Sequence, residues 1–159
     1  RLAGATQIIV SDLSETRRAT ASALGADITV DSRNEDLETV VKDATNGHGA
    51  DVVVIAIGRP ELLAQAIGLV RKGGYVCAFA GFPKGSTAAV DPNTIHYGEI
   101  TLVGAANAKR RQTEEALRLI ENRLIAAETI VSHTFPLQQA AEAIEFSASG
   151  EGIKIAVVP

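Results

Sequence analysis

The chain has 159 residues, of which 46% are hydrophobic and 21% charged, and its formal net charge is −4. This composition is typical of a single globular domain, and it favours neither nucleic acid nor an anionic membrane surface as a partner. No apolar stretch approaches the roughly 20 residues that span a bilayer, and a single cysteine excludes an internal disulfide, so we expect a cytoplasmic protein. The chain begins at Arg1 rather than Met, and we expect it to be a fragment of a longer protein.

The first predicted elements are short strands and amphipathic helices. Residues 7–10 form an apolar strand, after which Ser14 is the expected cap of a helix. A second short strand is predicted at residues 28–30. Asn34 is the expected cap of a second helix, whose apolar residues recur at three- and four-residue steps as far as Ala44.

The middle of the chain predicts a strand–helix–strand unit. Residues 52–57 form a continuous apolar run, which suits a strand covered on both faces, as in a parallel sheet. Pro60 opens a helix that Gly73 and Gly74 end, and a second buried strand follows at residues 75–80. Ligands of such sheets bind beyond the carboxyl ends of the strands.

The last third continues the alternation. A polar loop is predicted from Pro83 to Gly98, and an apolar strand then ends at Gly104. The remaining predicted elements are a helix at residues 111–124, an extended segment at 129–135, a helix at 137–148 and a strand at 153–158. This order predicts a doubly wound parallel α/β sheet formed by residues 1–159.

Asp12 follows the first predicted strand and is the strongest single candidate for a binding residue. In a dinucleotide-binding fold, an acidic side chain at this strand end accepts hydrogen bonds from the adenosine ribose and repels the extra phosphate of NADP, so Asp12 favours NAD. The alternative is an aspartate that caps a helix or closes a turn. The glycine-rich phosphate loop expected roughly 20 residues earlier is absent from the sequence.

Glycines end several of the predicted strands, at Gly58, Gly81 and Gly104. A ligand can approach a backbone without a Cβ closely, so these glycines are candidates for the floor of a cofactor site. The alternative is that glycine ends strands in many α/β proteins for local reasons.

The sequence predicts no metal site in this chain. His48, His96 and His133 have no ligand-like spacing among themselves or with Cys77. Cys77 lies within a predicted strand and is expected to be a small buried apolar residue.

Four segments, taken together and in order, resemble a known family. They read SDLSETRRATASALGAD, GADVVVIAIG, LVRKGGYVCAFAGFP and SGEGIKIAVVP. They are similar to the Rossmann-type cofactor domain of the medium-chain, zinc-dependent alcohol and polyol dehydrogenases, over nearly the whole chain. NTIHYGEITLVGA is most similar to the sorbitol-, galactitol-phosphate- and threonine-type enzymes. The resemblance implies a Rossmann-type fold truncated at its amino terminus, without its first strand, its glycine-rich loop and the catalytic zinc domain.

The resemblance also implies which residues contact the cofactor. Asp12 matches the ribose-binding acid, and Arg17 matches the basic residue beside the adenosine. Lys154 matches a basic residue that approaches the pyrophosphate, the alternative being a solvated strand lysine. The positions implied for the adenosine-side ribose are Ala56, Ile57, Gly58 and Arg59, and those near the nicotinamide are Ala80, Gly81, Phe82, Ala105 and Asn107. No catalytic residue and no metal ligand is implied within this chain.

The function implied by the resemblance is that of the NAD-binding part of a zinc-dependent dehydrogenase, which transfers hydride between a secondary alcohol or sugar alcohol and nicotinamide. The zinc ligands would lie outside this chain. The alternatives are a zinc-independent NADPH quinone or enone reductase of the same superfamily and a non-catalytic nucleotide-binding module. The resemblance further implies a homodimer or homotetramer paired through the strand from Ile100 to Gly104, unless that strand is an interior one.

Overall fold

The computed structural model describes residues 1–159, which fold into helices and parallel strands. In chain order the elements are β1 (Ile9–Ser11), α1 (Glu15–Ala23), β2 (Ile28–Val30), α2 (Leu37–Ala44), β3 (Ala50–Ile55), α3 (Glu61–Leu69), β4 (Val70–Ala78), α4 (Pro92–Gly98), β5 (Thr101–Gly104), α5 (Arg110–Glu121), α6 (Ala127–Ile130), β6 (Val131–Pro136), a 3-10 turn (Leu137–Gln139), α7 (Ala140–Ser149) and β7 (Lys154–Val158). All strand pairs are parallel, which confirms the predicted α/β class. None of the helices combines the length and apolar character needed to cross a membrane.

The chain divides into two compact units. Unit 1 comprises Arg1–Ser32 together with Lys109–Pro159, and unit 2 comprises Arg33–Ala108. Unit 1 contains the strand pairs β1–β2 and β6–β7, and unit 2 contains a three-stranded sheet in the order β3-β4-β5.

In unit 1, the β1–α1–β2 segment is held by caps and by a charged turn. The Ser14 hydroxyl accepts the N–H of Arg17 at 3.4 Å, which confirms the predicted helix cap. The Asp27 carboxylate accepts the N–H of Ile8 at 2.7 Å and a guanidinium N–H of Arg1 at 2.6 Å. These two hydrogen bonds hold the pKa of Asp27 below its ordinary value.

The β6–α7–β7 segment of unit 1 packs around aromatic rings. The Phe146 ring of α7 lies 5.8 Å from that of Phe135 and 4.4 Å from that of His133. Helix α7 ends at Gly150, whose φ of 78° lies in the left-handed region that glycine adopts at helix ends. The chain then enters β7, and the N–H of Ile153 donates to the Ser132 hydroxyl at 2.9 Å.

Unit 2 buries its core on one face of its sheet. Ile55 of β3 and Val76 of β4 pack against the helix α3 residues Ala66 and Ile67, and all four are at most 4% exposed. The opposite face carries Val52 and Val54, each 55% exposed, since successive strand side chains point to opposite faces. The predicted burial of this strand on both faces is therefore wrong.

Burial of β4 follows the same rule. Tyr75 pairs in register with Val52 and is 51% exposed, whereas its neighbour Val76 is fully buried. Cys77 lies opposite Val54 and is half-buried rather than buried as expected.

Three predicted boundaries in unit 2 differ from the structure. Asp36, not Asn34, caps α2, because its carboxylate accepts the N–H groups of Glu38 at 3.4 Å and Thr39 at 3.2 Å. Helix α3 ends at Leu69 and β4 begins at once, well before the glycine pair that was expected to end the helix.

The third difference is helix α4, which lies in the predicted loop. Asp91 accepts the N–H of Asn93 at 2.9 Å, and Pro92 occupies the first turn, where its missing N–H costs nothing. Ile95 of this helix packs against the core of unit 2.

Candidate functional site

Asp12 lies directly after β1, where hydrogen bonds fix both its peptide groups and its carboxylate. Its N–H donates to the Val30 carbonyl at 3.2 Å, and its own carbonyl accepts Nη1 of Arg18 at 2.7 Å. Oδ1 accepts the N–H of Ser14 at 2.8 Å, and Oδ2 lies 3.9 Å from Nη1 of Arg17. The side chain remains 31% exposed. Asp12 thus closes a turn with one carboxylate oxygen and keeps acceptor capacity on the other.

Arg17 connects the start of α1 to the turn between α7 and β7. Its Nη2 donates to the carbonyls of Gly150 at 3.0 Å and Gly152 at 3.5 Å. Lys154 follows two residues later, exposed at the start of β7. The structure therefore brings Asp12 and Arg17 together, and Arg17 reaches the segment that leads to Lys154.

A largely buried ion pair contacts the Asp12 turn. Nη2 of Arg18 lies 3.2 Å from Oδ2 of Asp31, and the two side chains are only 16% and 12% exposed. The sequence analysis did not predict this ion pair. The available signal was that Asp12 and Asp31 each follow a predicted strand, and the carboxyl ends of adjacent parallel strands lie side by side.

In unit 2 the carboxyl ends of the three strands lie side by side. The N–H of Ala80 donates to the Ile55 carbonyl at 2.9 Å, and the N–H of Ala105 donates to the Ala78 carbonyl at 3.1 Å. These bonds extend the sheet beyond the ends of β4 and β5. The predicted positions carried by these strand ends are Ala56, Ile57, Gly58, Ala80, Gly81, Phe82 and Ala105.

Gly58 makes the closest backbone approach among these positions. A Cβ built on Gly58 would lie 2.0 Å from the carbonyl oxygen of Gly81 and 3.4 Å from the Cα of Phe82. A Cβ built on Gly81 or on Gly104 would meet nothing within 4 Å. The chain therefore requires glycine at residue 58 for backbone packing, independently of any ligand.

The two remaining unit 2 candidates are exposed. Arg59 pairs with Glu61, Nε to Oε1 at 2.7 Å, and both side chains are 58% exposed. The backbone N–H of Glu61 and the Arg59 guanidinium hold the pKa of Glu61 below its ordinary value. Asn107 has a φ of 59°, a left-handed conformation that asparagine adopts more readily than most residues.

No zinc site fits the residues of this chain. No group of three or more His, Cys, Asp or Glu side chains is placed to hold a metal ion. His96 contacts the ring of Tyr97, and His133 contacts that of Phe146.

The predicted site residues divide between the two units. Asp12, Arg17 and Lys154 belong to unit 1, and all the others belong to unit 2. That the two groups bind one cofactor stays a prediction.

The family model for the zinc-binding dehydrogenases matches residues 1–122. Erythritol/L-threitol dehydrogenase of Mycolicibacterium smegmatis is 29% identical over 154 residues, which cover 96% of this chain and 42% of the relative. Sorbitol dehydrogenase of Halalkalibacterium halodurans is 30% identical over 154 residues, which cover 96% of this chain and 45% of the relative.

A solved structure has the same fold as this chain. The crystal structure of a Sinorhizobium meliloti protein bound to NADP has a TM-score of 0.92 and 28% identity, and the match covers 100% of this chain and 47% of that one. The chain thus spans somewhat less than half the length of the proteins it matches. The family model, the named relatives and the shared fold together place the chain in the zinc-binding dehydrogenase family.

Proposed function

We propose that this chain binds NAD and serves as the cofactor-binding part of a dehydrogenase that acts on a polyol or another secondary alcohol. The relatives named for erythritol, threitol and sorbitol support the substrate class. When bound, the nicotinamide would accept hydride from the alcohol carbon, and the role of this chain is to bind and orient the cofactor.

The geometry of Asp12 carries the proposal. A carboxylate at this strand end accepts hydrogen bonds from both hydroxyls of an unphosphorylated adenosine ribose. Here the turn contact from Ser14 uses Oδ1, while Oδ2 retains acceptor capacity in a side chain that is 31% exposed. A 2′-phosphate would place negative charge beside this carboxylate, so NAD is favoured over NADP.

The other candidate residues have supporting roles in the proposal. Lys154, exposed at the start of β7, supplies a positive charge for the pyrophosphate. The strand ends at Gly58 and Gly81 present backbone to the cofactor, held together by the close packing of these two glycines. The chain contributes no group that exchanges a proton with the substrate.

The test replaces Asp12 with alanine in the intact protein. Because hydrogen bonds to a charged group contribute about 1.5–3 kcal/mol, Asp12→Ala should weaken NADH binding about tenfold or more. NADPH binding should be unchanged or stronger, since the repulsive charge is gone. Fluorescence titration with NADH and NADPH measures both affinities.

Asp43→Ala is the matched control, because it removes the same charge from an exposed position on α2. It should leave both affinities unchanged. An Asp12→Ala protein that retains the original preference for NADH over NADPH would overturn the proposal.

The second candidate is an NADPH-linked quinone or enone reductase without zinc. The observation in its favour is the NADP bound to the Sinorhizobium meliloti protein of the same fold. Asp12 argues against this candidate, because its carboxylate would repel the 2′-phosphate of NADPH. A wild-type preference for NADPH in the same titration would favour this candidate.

We also propose that two copies of the protein pair through β5. This strand has a neighbour on one side only, since the sheet order is β3-β4-β5. An unpaired strand edge is a template for pairing with another chain.

A further inference from the structure

We propose that the largely buried Arg18–Asp31 ion pair is a positioning element for Asp12 and thereby sets the affinity for the adenosine ribose. This inference rests on the proposed role of Asp12 as the ribose-binding acid. It assigns a function to two residues that make no direct contact with the cofactor in the proposal.

The guanidinium of Arg18 contacts both the Asp12 carbonyl and the Asp31 carboxylate. Nη1 of Arg18 donates to the Asp12 carbonyl at 2.7 Å, and Nη2 of the same side chain lies 3.2 Å from Oδ2 of Asp31. The rigid, planar fork of arginine can hold two acceptors in fixed directions, which the single ammonium of lysine cannot do. Asp31 follows directly after β2, so the pair ties the Asp12 turn to the end of the neighbouring strand.

Burial of this pair suggests a geometric rather than a stabilising role. At 16% and 12% exposure, both groups are largely removed from water, and the cost of desolvation offsets much of their mutual attraction. The exposed pair between Arg110 and Glu114, at 93% and 49% exposure, carries no such cost and fixes no other group in the structure.

The Asp12 turn is held at both of its peptide groups. The N–H of Asp12 donates to the Val30 carbonyl, and its carbonyl accepts from Arg18. Loss of the Arg18 bond removes one of these two hydrogen bonds to the Asp12 backbone. Because Oδ1 accepts the N–H of Ser14 in the same turn, a shift of the Asp12 backbone would displace the carboxylate. A displacement of about 1 Å is enough to lose most of a directional contact.

The test compares two ligands in the intact protein. NADH contains the adenosine ribose, whereas reduced nicotinamide mononucleotide lacks the adenosine half. Arg18→Gln and Asp31→Asn should each weaken NADH binding about tenfold, the effect of losing one charge-assisted hydrogen bond, and leave mononucleotide binding unchanged. Arg18→Lys should show a smaller loss, since it can keep one of the two contacts.

The double variant Asp12→Ala/Arg18→Gln isolates the mechanism. If Arg18 acts through Asp12, Arg18→Gln should cause no further loss of NADH affinity once Asp12 is alanine. Arg110→Gln serves as the control for loss of an arginine in an exposed ion pair, and it should bind both ligands as the wild type does.

The outcomes separate the two proposals. If Asp12→Ala does not change NADH binding, the proposed function itself fails. If Asp12→Ala weakens NADH binding but the Arg18 and Asp31 variants do not, only the positioning role fails. If the affinities for NADH and for the mononucleotide fall equally, the ion pair has only a structural role. The same conclusion holds if the losses of NADH affinity from the two single variants add in the double variant. Should Arg18→Gln not fold, Asp31→Asn and Arg18→Lys provide the same comparison.

Discussion

Gly58 illustrates how one residue can be required for a reason that only the folded chain reveals. We expect Gly58→Ala to lower the free energy of unfolding by about 1–3 kcal/mol, because the added Cβ would overlap the Gly81 carbonyl and force the strand ends apart. The affinity for NADH should fall as well, because Gly81 and Phe82, two of the proposed cofactor-binding residues, would move with the strand ends. Urea unfolding and NADH titration of the intact protein measure both effects.

Gly81→Ala is the control for this prediction, because its Cβ would meet no atom within 4 Å. Gly81→Ala should change the free energy of unfolding by much less than Gly58→Ala does. A Gly58→Ala protein as stable as the Gly81→Ala protein would contradict the packing argument.

Residue types at the strand ends were predictable from the sequence, but their partners were not. Asp12 was identified because it follows an apolar run, and the structure places it at the end of β1 as expected. Gly58 was identified for the same reason, although its contact with Gly81 depends on the pairing of β3 with β4. The Arg18–Asp31 pair escaped prediction because it depends on the pairing of β1 with β2.

At the scale of elements, β5 carries the prediction of self-association. The N–H of Ala105 points toward β4, so in an extended strand the N–H of Val103 does too, and that of Leu102 points away. We expect Leu102→Pro to abolish dimer formation without breaking the pairing of β5 with β4, because proline is tolerated where the strand N–H faces outward. Size-exclusion chromatography with light scattering measures the oligomeric state.

Val103→Pro is the matched comparison, since it removes an N–H directed at β4. It should destabilise unit 2, whereas Leu102→Pro should remain folded. A Leu102→Pro protein that is still a dimer would exclude β5 as the interface.

Helices and strands with clear periodicity were predicted, and the errors have identifiable causes. Helix α4 was predicted as a loop because the segment from Pro83 to Gly98 is polar and contains glycine and proline, although Asp91 followed by Pro92 is typical of a helix start. The two-sided burial of β3 was wrong because an apolar run shows that a strand can be buried, not which face has a partner. Val52 and Val54, on the second face, are each 55% exposed.

At the scale of the whole molecule, the family assignment leads us to expect a zinc ion, although no group of three or more metal-ligating side chains is found in this chain. We expect the intact protein to contain stoichiometric zinc and to oxidise sugar alcohols with NAD, since its relatives include erythritol/L-threitol and sorbitol dehydrogenases. Elemental analysis and a polyol panel with either cofactor test this. A zinc-free protein that reduces quinones or enones with NADPH would instead establish the second candidate function.

The division into units also bears on the order in which the chain can fold. Unit 2 is continuous, whereas unit 1 is assembled from Arg1–Ser32 and Lys109–Pro159, with unit 2 inserted between them. The bond from Arg17 to the Gly150 carbonyl alone spans 133 positions. During synthesis, all contacts of unit 2 can form before the second segment of unit 1 has left the ribosome. The bond from Arg17 to the Gly150 carbonyl can therefore form only after all of unit 2 has been synthesised.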